Sequence, residues 1–383
     1  MSKNSIPKIR FNNFKAFWVE KKIADIVKIS AGGDVDKERL KQSGKYPVIA
    51  NALTNKGIVG FYDDYKVKAP AVTVTGRGDV GYAVARHENF TPVVRLLTLQ
   101  SDSIDMDYLE NQINSMKILN ESTGVPQLTA PQLGNYKVYR PEIDEQSAIG
   151  SLFRTLDDLL ASYKDNLTNY QSLKATMLSK MFPKAGQTIP EIRLDGFERK
   201  WEKKKLIDLV SPVSRKVKKP SDPYYRLSIR SHAKGTFKQF VDDPKKIAMD
   251  NLFEVKENDL VVNITFAWEH AIAVASKEDD GLLVSHRFPT FVIDKSDKNF
   301  INIYIKREEF RQKLDLLSPG GAGRNRVLNV KDFIKIQMIV PELEEQQAIG
   351  SYFSNLDNLI NSCQEKITQL ETLKKKLLQD MFI

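Results

Sequence analysis

The sequence holds almost nothing that could bind a metal or staple a small fold. Its 383 residues include one cysteine and four histidines. A single cysteine cannot close an internal disulfide, and Cys363 has no CxxC or histidine partner nearby, so neither a disulfide framework nor a zinc site is expected. It reads as a core residue. His87, His232, His270 and His286 form no recognisable triad pattern. A GxxxxGK[ST] phosphate loop is missing, and so are the Asn-Pro-Pro-Tyr and Asp-Pro-Pro-Tyr stretches that amino-methylating enzymes carry. Asp222-Pro-Tyr224 lacks the second proline and reads as a turn. Thr75–Gly81, TGRGDVG, is not a GxGxxG in a strand-to-helix setting and reads as a hairpin turn. No apolar run approaches the roughly eighteen residues of a membrane span, and the opening MSKNSIPKIR lacks the apolar stretch of a secretory signal. A cytoplasmic location is the expectation.

Hydrophobic residues make up 41% of the chain, enough for buried cores. The length suggests two domains or more, since a single core stops growing below this size. Lysine and arginine outnumber aspartate and glutamate by 58 to 49, a formal net charge of +9. Such an excess favours a polyanionic partner, because cations near phosphates release condensed counterions and gain affinity whatever the base sequence. Ordinary solubility charge is the alternative.

The strongest signal is a repeat. Residues 141–153 read PEIDEQSAIGSLF and residues 341–353 read PELEEQQAIGSYF, identical at nine of thirteen positions. Earlier, residues 6–14 (IPKIRFNNF) return as residues 189–197 (IPEIRLDGF), and Trp18 with the following IADIV matches Trp201 with LIDLV, at an offset of 183. From about Leu128 onward the offset is 200. Each copy thus has a shared entrance, a diverged middle and a shared exit, with the copies meeting near Pro183 and Gln187. Strands are expected at 71–75, 82–85 and 93–99 in the first middle and at 260–265, 271–275 and 288–293 in the second, broken by glycine-rich turns. A helical stretch should follow near 108–119 and 304–317. A mixed α+β globule is implied for each.

The exits carry the clearest periodicity. Ile149, Phe153, Leu156, Leu160, Tyr163, Leu167, Tyr170, Leu173, Met177 and Met181 recur every three or four residues, and Ile349, Phe353, Leu356, Ile360, Cys363, Ile367, Leu370, Leu373, Leu377 and Met381 repeat the pattern. Such a seam predicts two long helices with a coiled-coil stripe. Pro141 and Pro341 with the acidic residues after them suit a first turn. From Glu145 to Met181 the rise is about 55 Å. Antiparallel packing of the two stripes within one chain is the economical arrangement, with pairing between chains as its rival.

The shared exits opening PEIDEQ and PELEEQ, the diverged middles, and Met181-Phe182 and Met381-Phe382 at the helix ends make the chain resemble the specificity subunit of type I restriction-modification systems, over essentially its whole length. The resemblance implies an α+β fold with a pseudo-twofold internal repeat: two target recognition domains (1–140 and 184–340) separated by two antiparallel spacer helices (141–183 and 341–383). It implies a subunit without catalysis that reads a bipartite, asymmetric double-stranded DNA target. Two modification (methyltransferase) subunits would supply S-adenosylmethionine and methylate adenine. Restriction subunits would supply ATP- and Mg-dependent translocation and cleavage against phage DNA. No cofactor is expected on this chain.

Base reading needs side chains that fork onto base edges, chiefly Arg, Lys, Asn and Gln. In the first domain Arg77 lies between glycines at a strand end, Asn51, Asn55 and Lys56 occupy a polar loop, and Gln127 follows a loop that is not basic. In the second, SPGGAGRNRVLNV places Arg324, Asn325 and Arg326 after residues with little side chain, where glycine permits close backbone approach. Arg230, His232 and Lys234 would share a face if their segment were a strand. Arg215–Lys219 is a phosphate candidate or a solvated face, and Trp18 and Trp201, recurring at matched places, read as core. A helical scaffold that joins proteins without touching DNA, and a hidden metal-dependent nuclease, are the other classes left open.

Overall fold

The computed structural model describes residues 6–116, 118, 126–184, 186–318 and 326–383. The chain forms two compact units, Met1–Leu167 with Ser362–Ile383, and Thr168–Asn361. These units cut through both long helices, whereas segmentation by sequence divides the chain at 140, 183 and 340.

In the first unit the order is β1 (Val19–Lys22), α1 (Ile23–Ile26), β2 (Lys28–Ala31), β3 (Tyr46–Ile49), β4 (Ile58–Tyr62), β5 (Ala71–Thr75), β6 (Ala83–Arg86), β7 (Thr91–Pro92), β8 (Leu96–Gln100), α2 (Met106–Ser115), α3 (Ala130–Asn135) and β9 (Lys137–Arg140), leading into α4 (Ile143–Lys180). β1 and β9 pair antiparallel, so the domain's entrance and exit lie side by side. A four-stranded sheet runs β2-β8-β5-β6 and a three-stranded sheet β4-β3-β7. Every residue of β5, AVTVT, is buried, as expected for a β-branched strand covered on both faces.

The second unit has β10 (Glu202–Lys205), β11 (Ser211–Val213), β12 (Lys216–Lys218), β13 (Tyr224–Ile229), β14 (Thr236–Val241), β15 (Asn251–Glu254), β16 (Asp259–Val262), β17 (Ile272–Val274), β18 (Leu283–Val284), β19 (Thr290–Val292), α5 (Lys298–Tyr304), α6 (Glu308–Leu316), α7 (Val330–Phe333), β20 (Gln337–Val340) and α8 (Leu343–Asp380), the last crossing into the first unit. β10 pairs with β20 as β1 does with β9. A four-stranded sheet runs β11-β19-β16-β17, the same connection pattern as in the first unit, and a five-stranded sheet runs β12-β15-β18-β13-β14. The diverged middles therefore share one sheet and differ in the other.

The expected strands are shorter than their apolar runs. Residues 93–95 peel away before β8, with Arg95 at φ 72°, and β16 stops at Val262 because 263–271 turns back on itself. Of the 304–317 stretch, Tyr304 ends α5, residues 305–307 turn, and α6 covers Glu308–Leu316.

The repeated exit motif is explained residue by residue. Glu145 is 1% exposed; Arg10 donates to its two oxygens through Nε (2.6 Å) and Nη2 (2.7 Å), and the Trp18 indole donates at 3.2 Å. Glu345 receives the same three bonds, from Arg193 (2.8 and 2.6 Å) and Trp201 (3.3 Å). Gln146 Nε2 donates to the Pro141 carbonyl and its Oε1 accepts from the Asp105 amide; Gln346 does likewise with Pro341 and Asp297. Asp105 and Asp297 cap α2 and α5, accepting from the Tyr108 and Phe300 amides. Gly150 and Gly350 face those caps: a Cβ would sit 2.5 Å from Asp105 Oδ1 at one and 2.3 Å from Asp297 Oδ1 at the other. The shared entrances (Arg10/Arg193, Trp18/Trp201) and shared exits are thus two halves of one lock, repeated. Pro141 and Pro341 lie outside the helices, because Glu142 and Glu342 accept the first helical bonds, from Gln146 and Gln346.

Both long helices contribute to both units. In the first, Asp157 pairs with Lys374 at 2.5 Å and Lys164 with Glu371 at 2.8 Å, so rising numbers on α4 meet falling numbers on α8. In the second, Lys174 pairs with Asp357, and Phe182 lies 6.5 Å from Phe353. The segments are antiparallel in each unit. Ile149, Phe153, Leu156 and Leu160 are buried, as are Ile349, Phe353 and Leu356, while Ile360 is half-buried. Leu173 and Leu373 leave the seam and are exposed. Met381 and Phe382 enter the core of the first unit beside Tyr108 and Phe153, and Met181 and Phe182 enter that of the second beside Trp201 and Phe300. Each unit's core is therefore closed by the end of the helix that leads out of the other repeat. Ile9 and Ile192 mark this closure, their amides bonding the Asp380 and Lys180 carbonyls.

Burial pushes the Glu110 carboxyl on α2 up to about 7, with Asp157 adding to the rise and Lys374 opposing it. A carboxyl that keeps its proton more tightly when folded contributes a stability that declines as pH rises from the ordinary carboxylate range and levels off above about 7. Glu110→Gln removes this loss. Thermal melts should show the variant gaining on the parent between pH 5 and 8, and a difference independent of pH would refute the assignment.

Candidate nucleic-acid interface

In the first unit the candidate side chains gather around Gly76. The β5–β6 hairpin closes through Thr75 N to the Tyr82 carbonyl, with Gly78 and Gly81 at positive φ. Arg77 forms an isolated antiparallel bridge with Gln127, flanked by bonds from Gly78 to the Pro126 carbonyl and from Leu128 to the Gly76 carbonyl. Asn51 joins the same place: its Oδ1 accepts from the Gly76 amide (2.8 Å) and its Nδ2 donates to the Val94 carbonyl (3.0 Å). A Cβ at Gly76 would stand 2.1 Å from the Arg95 carbonyl, so only glycine lets the two loops meet. Asn55 and Lys56 sit on an adjacent exposed turn at φ 48° and 49°, where the Lys56 carbonyl accepts from Arg86. The structure thus brings Asn51, Arg77 and Gln127 together, with Asn51 spent on fastening backbone.

The second unit departs further from expectation. β13 ends at Ile229, so Arg230, His232 and Lys234 do not alternate along a strand. They lie on a turn in which His232, Ala233 and Gly235 take positive φ and the His232 and Ala233 amides bond the Glu269 and His270 carbonyls. Arg230 donates to the Thr236 carbonyl and covers the Phe237 ring. Arg324 and Asn325 lie outside the described residues. Arg326 is held in place: Nε donates to Ser318 O (3.0 Å), Nη2 to Asp315 Oδ1 (2.6 Å), and the guanidinium lies 5.0 Å over Trp268. Of the basic run, Arg215 is tied to buried Asp259 and Lys219 to the Ile247 carbonyl. His270 is buried with Nε2 2.6 Å from the Ile305 carbonyl, and burial pulls its pKa down. A cleft of about 270 Å³ opens nearby, lined by Arg226, Ser228, Gln239, Asn263, Thr265 and Arg287 among others. Among the described residues no cluster of His, Cys, Asp and Glu could hold a metal ion, and no helix is long and apolar enough to cross a membrane.

Residues 16–170 and 198–372 each match the family model described as "Type I restriction modification DNA specificity domain". The chain belongs to that family. The type I restriction enzyme MjaVIII specificity subunit of Methanocaldococcus jannaschii is 23% identical over 278 residues, 69% of this chain and 65% of that protein. A chain named as a type I specificity subunit in Mycoplasma pneumoniae is 29% identical over 144 residues, 36% of this chain and 39% of that one. These matches span less than two thirds of either relative. The crystal structure of a type I restriction-modification system S subunit from M. genitalium aligns over 99% of both chains with a TM-score of 0.63 at 14% identity, a likeness of fold. Both matched ranges of the specificity family run from the entrance strand through the sheets into a long helix, so the family unit coincides with the internal repeat.

Sequence inspection missed Arg95 and Arg287. Thr75 pairs with Leu96 on β8, and the β16–β19 ladder continues through Val262 N to Pro289 O and Ile264 N to Arg287 O, which puts Arg95 and Arg287 at equivalent register positions. A signal was available: Arg95, Thr98, Asp102 and Asp105 recur as Arg287, Thr290, Asp294 and Asp297, all at an offset of 192. It lies inside the diverged middles, between the anchors at 183 and 200.

Proposed function

We propose that this chain reads DNA sequence for a type I restriction-modification complex and performs no catalysis itself. One half-site belongs to each recognition domain; α4 and α8 set the gap between the half-sites and dock two modification subunits. Methylation with S-adenosylmethionine, and ATP- and Mg-dependent translocation and cleavage, belong to those partner and restriction subunits, in the cytoplasm. The observation that carries this reading is the duplicated specificity domain built on one repeated lock, with candidate side chains of the diverged middles gathered around Gly76 in one unit and lining the β13–β14 cleft in the other. Two different readers on identical mounts suit two different half-sites, not a palindrome.

Binding of the purified chain to duplex DNA should be sequence-dependent and should weaken steeply with salt, by on the order of 10³-fold between about 50 and 200 mM if several phosphates are contacted. Replacing residues 1–140 by the equivalent region of a relative should change one half-site and leave the other. Binding indifferent to both salt and sequence would return the chain to the class of protein scaffolds.

A further inference from the structure

A side chain that reads a base edge must be uncommitted in the free protein, or it loses an intrachain bond for each one it gains. Among the described residues, Arg77, Arg95 and Arg287 are the arginines whose guanidinium groups make no hydrogen bond or ion pair. All three are exposed. Arg77 and Arg95 flank the Gly76 junction of the first unit, and Arg287 lines the cleft of the second, at the register position equivalent to Arg95. Free guanidiniums therefore occur at one equivalent place in two domains whose local sequences differ.

We propose that Arg95 and Arg287 are the paired specificity-determining residues of the two recognition domains, each forking onto the O6 and N7 acceptors of a guanine in the major groove. This rests on the DNA-reading function proposed above and assigns it to particular atoms. Guanine is the base with two acceptors at the spacing of a guanidinium fork. The backbone prepares the contact: Arg95 is held at φ 72° with its carbonyl against Gly76, and the Arg287 carbonyl accepts from the Ile264 amide at 3.0 Å, so each arginine's main chain is anchored while its side chain is free. In the second unit the guanine edge enters beside Arg226, whose Nε donates to Gln239 Oε1 at 2.8 Å, and buried Asn263, whose Oδ1 accepts from the Thr265 amide. These groups shape the cleft, and the free fork of Arg287 makes the discrimination. In the first unit Arg77, bridged to Gln127 by backbone, supplies the neighbouring positive charge.

The test is selection from a randomised duplex library by the full-length chain and its Arg95→Ala, Arg287→Ala and Arg287→Lys variants, with binding measured across a salt series. The parent should select a motif with a guanine in each half-site. Arg287→Ala should lose that guanine preference in one half-site, by about ten- to a hundredfold, and leave the other half-site unchanged; Arg95→Ala should do the reverse. Arg287→Lys keeps the charge without the planar fork, so it should retain affinity while relaxing the same position. An unchanged motif would overturn the proposal. So would a uniform loss across all sequences with the salt slope reduced by about one, the mark of a phosphate contact. A parent chain that selects no motif would instead sink the DNA-reading function itself.

Discussion

Lengthening α4 and α8 together by three heptads, inserted after Leu167 and after Asn361 where the compact units divide, should move the preferred gap between half-sites up by about nine base pairs. The added rise is about 31 Å against about 3.4 Å per base pair. Three heptads are specified because DNA is helical: about nine to ten base pairs restore nearly the same face of the duplex, whereas one heptad adds about three and turns the second half-site roughly a third of the way around. The single-heptad variant should bind weakly at every gap. Whole heptads also keep the apolar seam and the repeated Asp157–Lys374 and Lys174–Asp357 pairs in place. Gap preference is read by binding to duplexes that differ only in spacer length. A lengthened protein that still prefers the original spacer would refute the idea that the helices set the distance.

Glu145→Ala and Glu345→Ala should each destabilise their own unit by about 3–5 kcal/mol, the usual cost of stripping one partner from a buried ion pair. Each carboxylate is 1% exposed at its side chain, and removal leaves Arg10 or Arg193, themselves only 10% and 14% exposed, without the bonded counter-charge. Only more distant carboxylates such as Glu142 or Glu342 then face the guanidinium, and the Trp18 and Trp201 indoles lose their acceptors as well. Glutamine at either position keeps an acceptor for the indole and should recover part of the loss. Unfolding in urea followed by tryptophan fluorescence reports both, and for the Glu145 variants the signal is direct, since Trp18 is the one tryptophan of the first unit. A loss below about 1 kcal/mol would show that the pair is replaced by water without cost.

Much of this architecture is legible in the sequence because repetition exposes it. The helical seam is periodic, the exit motif is nearly identical in its two copies, and runs such as AVTVT announce a covered strand. The shared four-stranded sheet is not legible, because sheet order depends on pairing across long separations, and AVTV of β5 and DLVV of β16 share one letter, Val74 with Val262. The candidate site fails for a different reason. Arg326 and Arg287 look alike in a string; one is committed to Asp315 and Ser318 and the other is free, and that distinction exists only once the chain is folded. The turn at 230–235 misleads because alternation of residue types says nothing about where a ladder stops, and the positive φ at His232 and Ala233 is not a preference those residues advertise.

The closure of each unit's core by the helix that leads out of the other repeat sets an order on the ribosome. The residues of the first unit up to Leu167 are made before the second unit, yet Met381 and Phe382, which fill the first unit's core against Tyr108 and Phe153, are made after it. Met181 and Phe182 emerge before the domain they complete. The half synthesised first is therefore finished second. A nascent chain carries an open core beside Tyr108 until residues 381 and 382 follow the whole second unit, and damage near residue 381 is felt first in the first recognition domain.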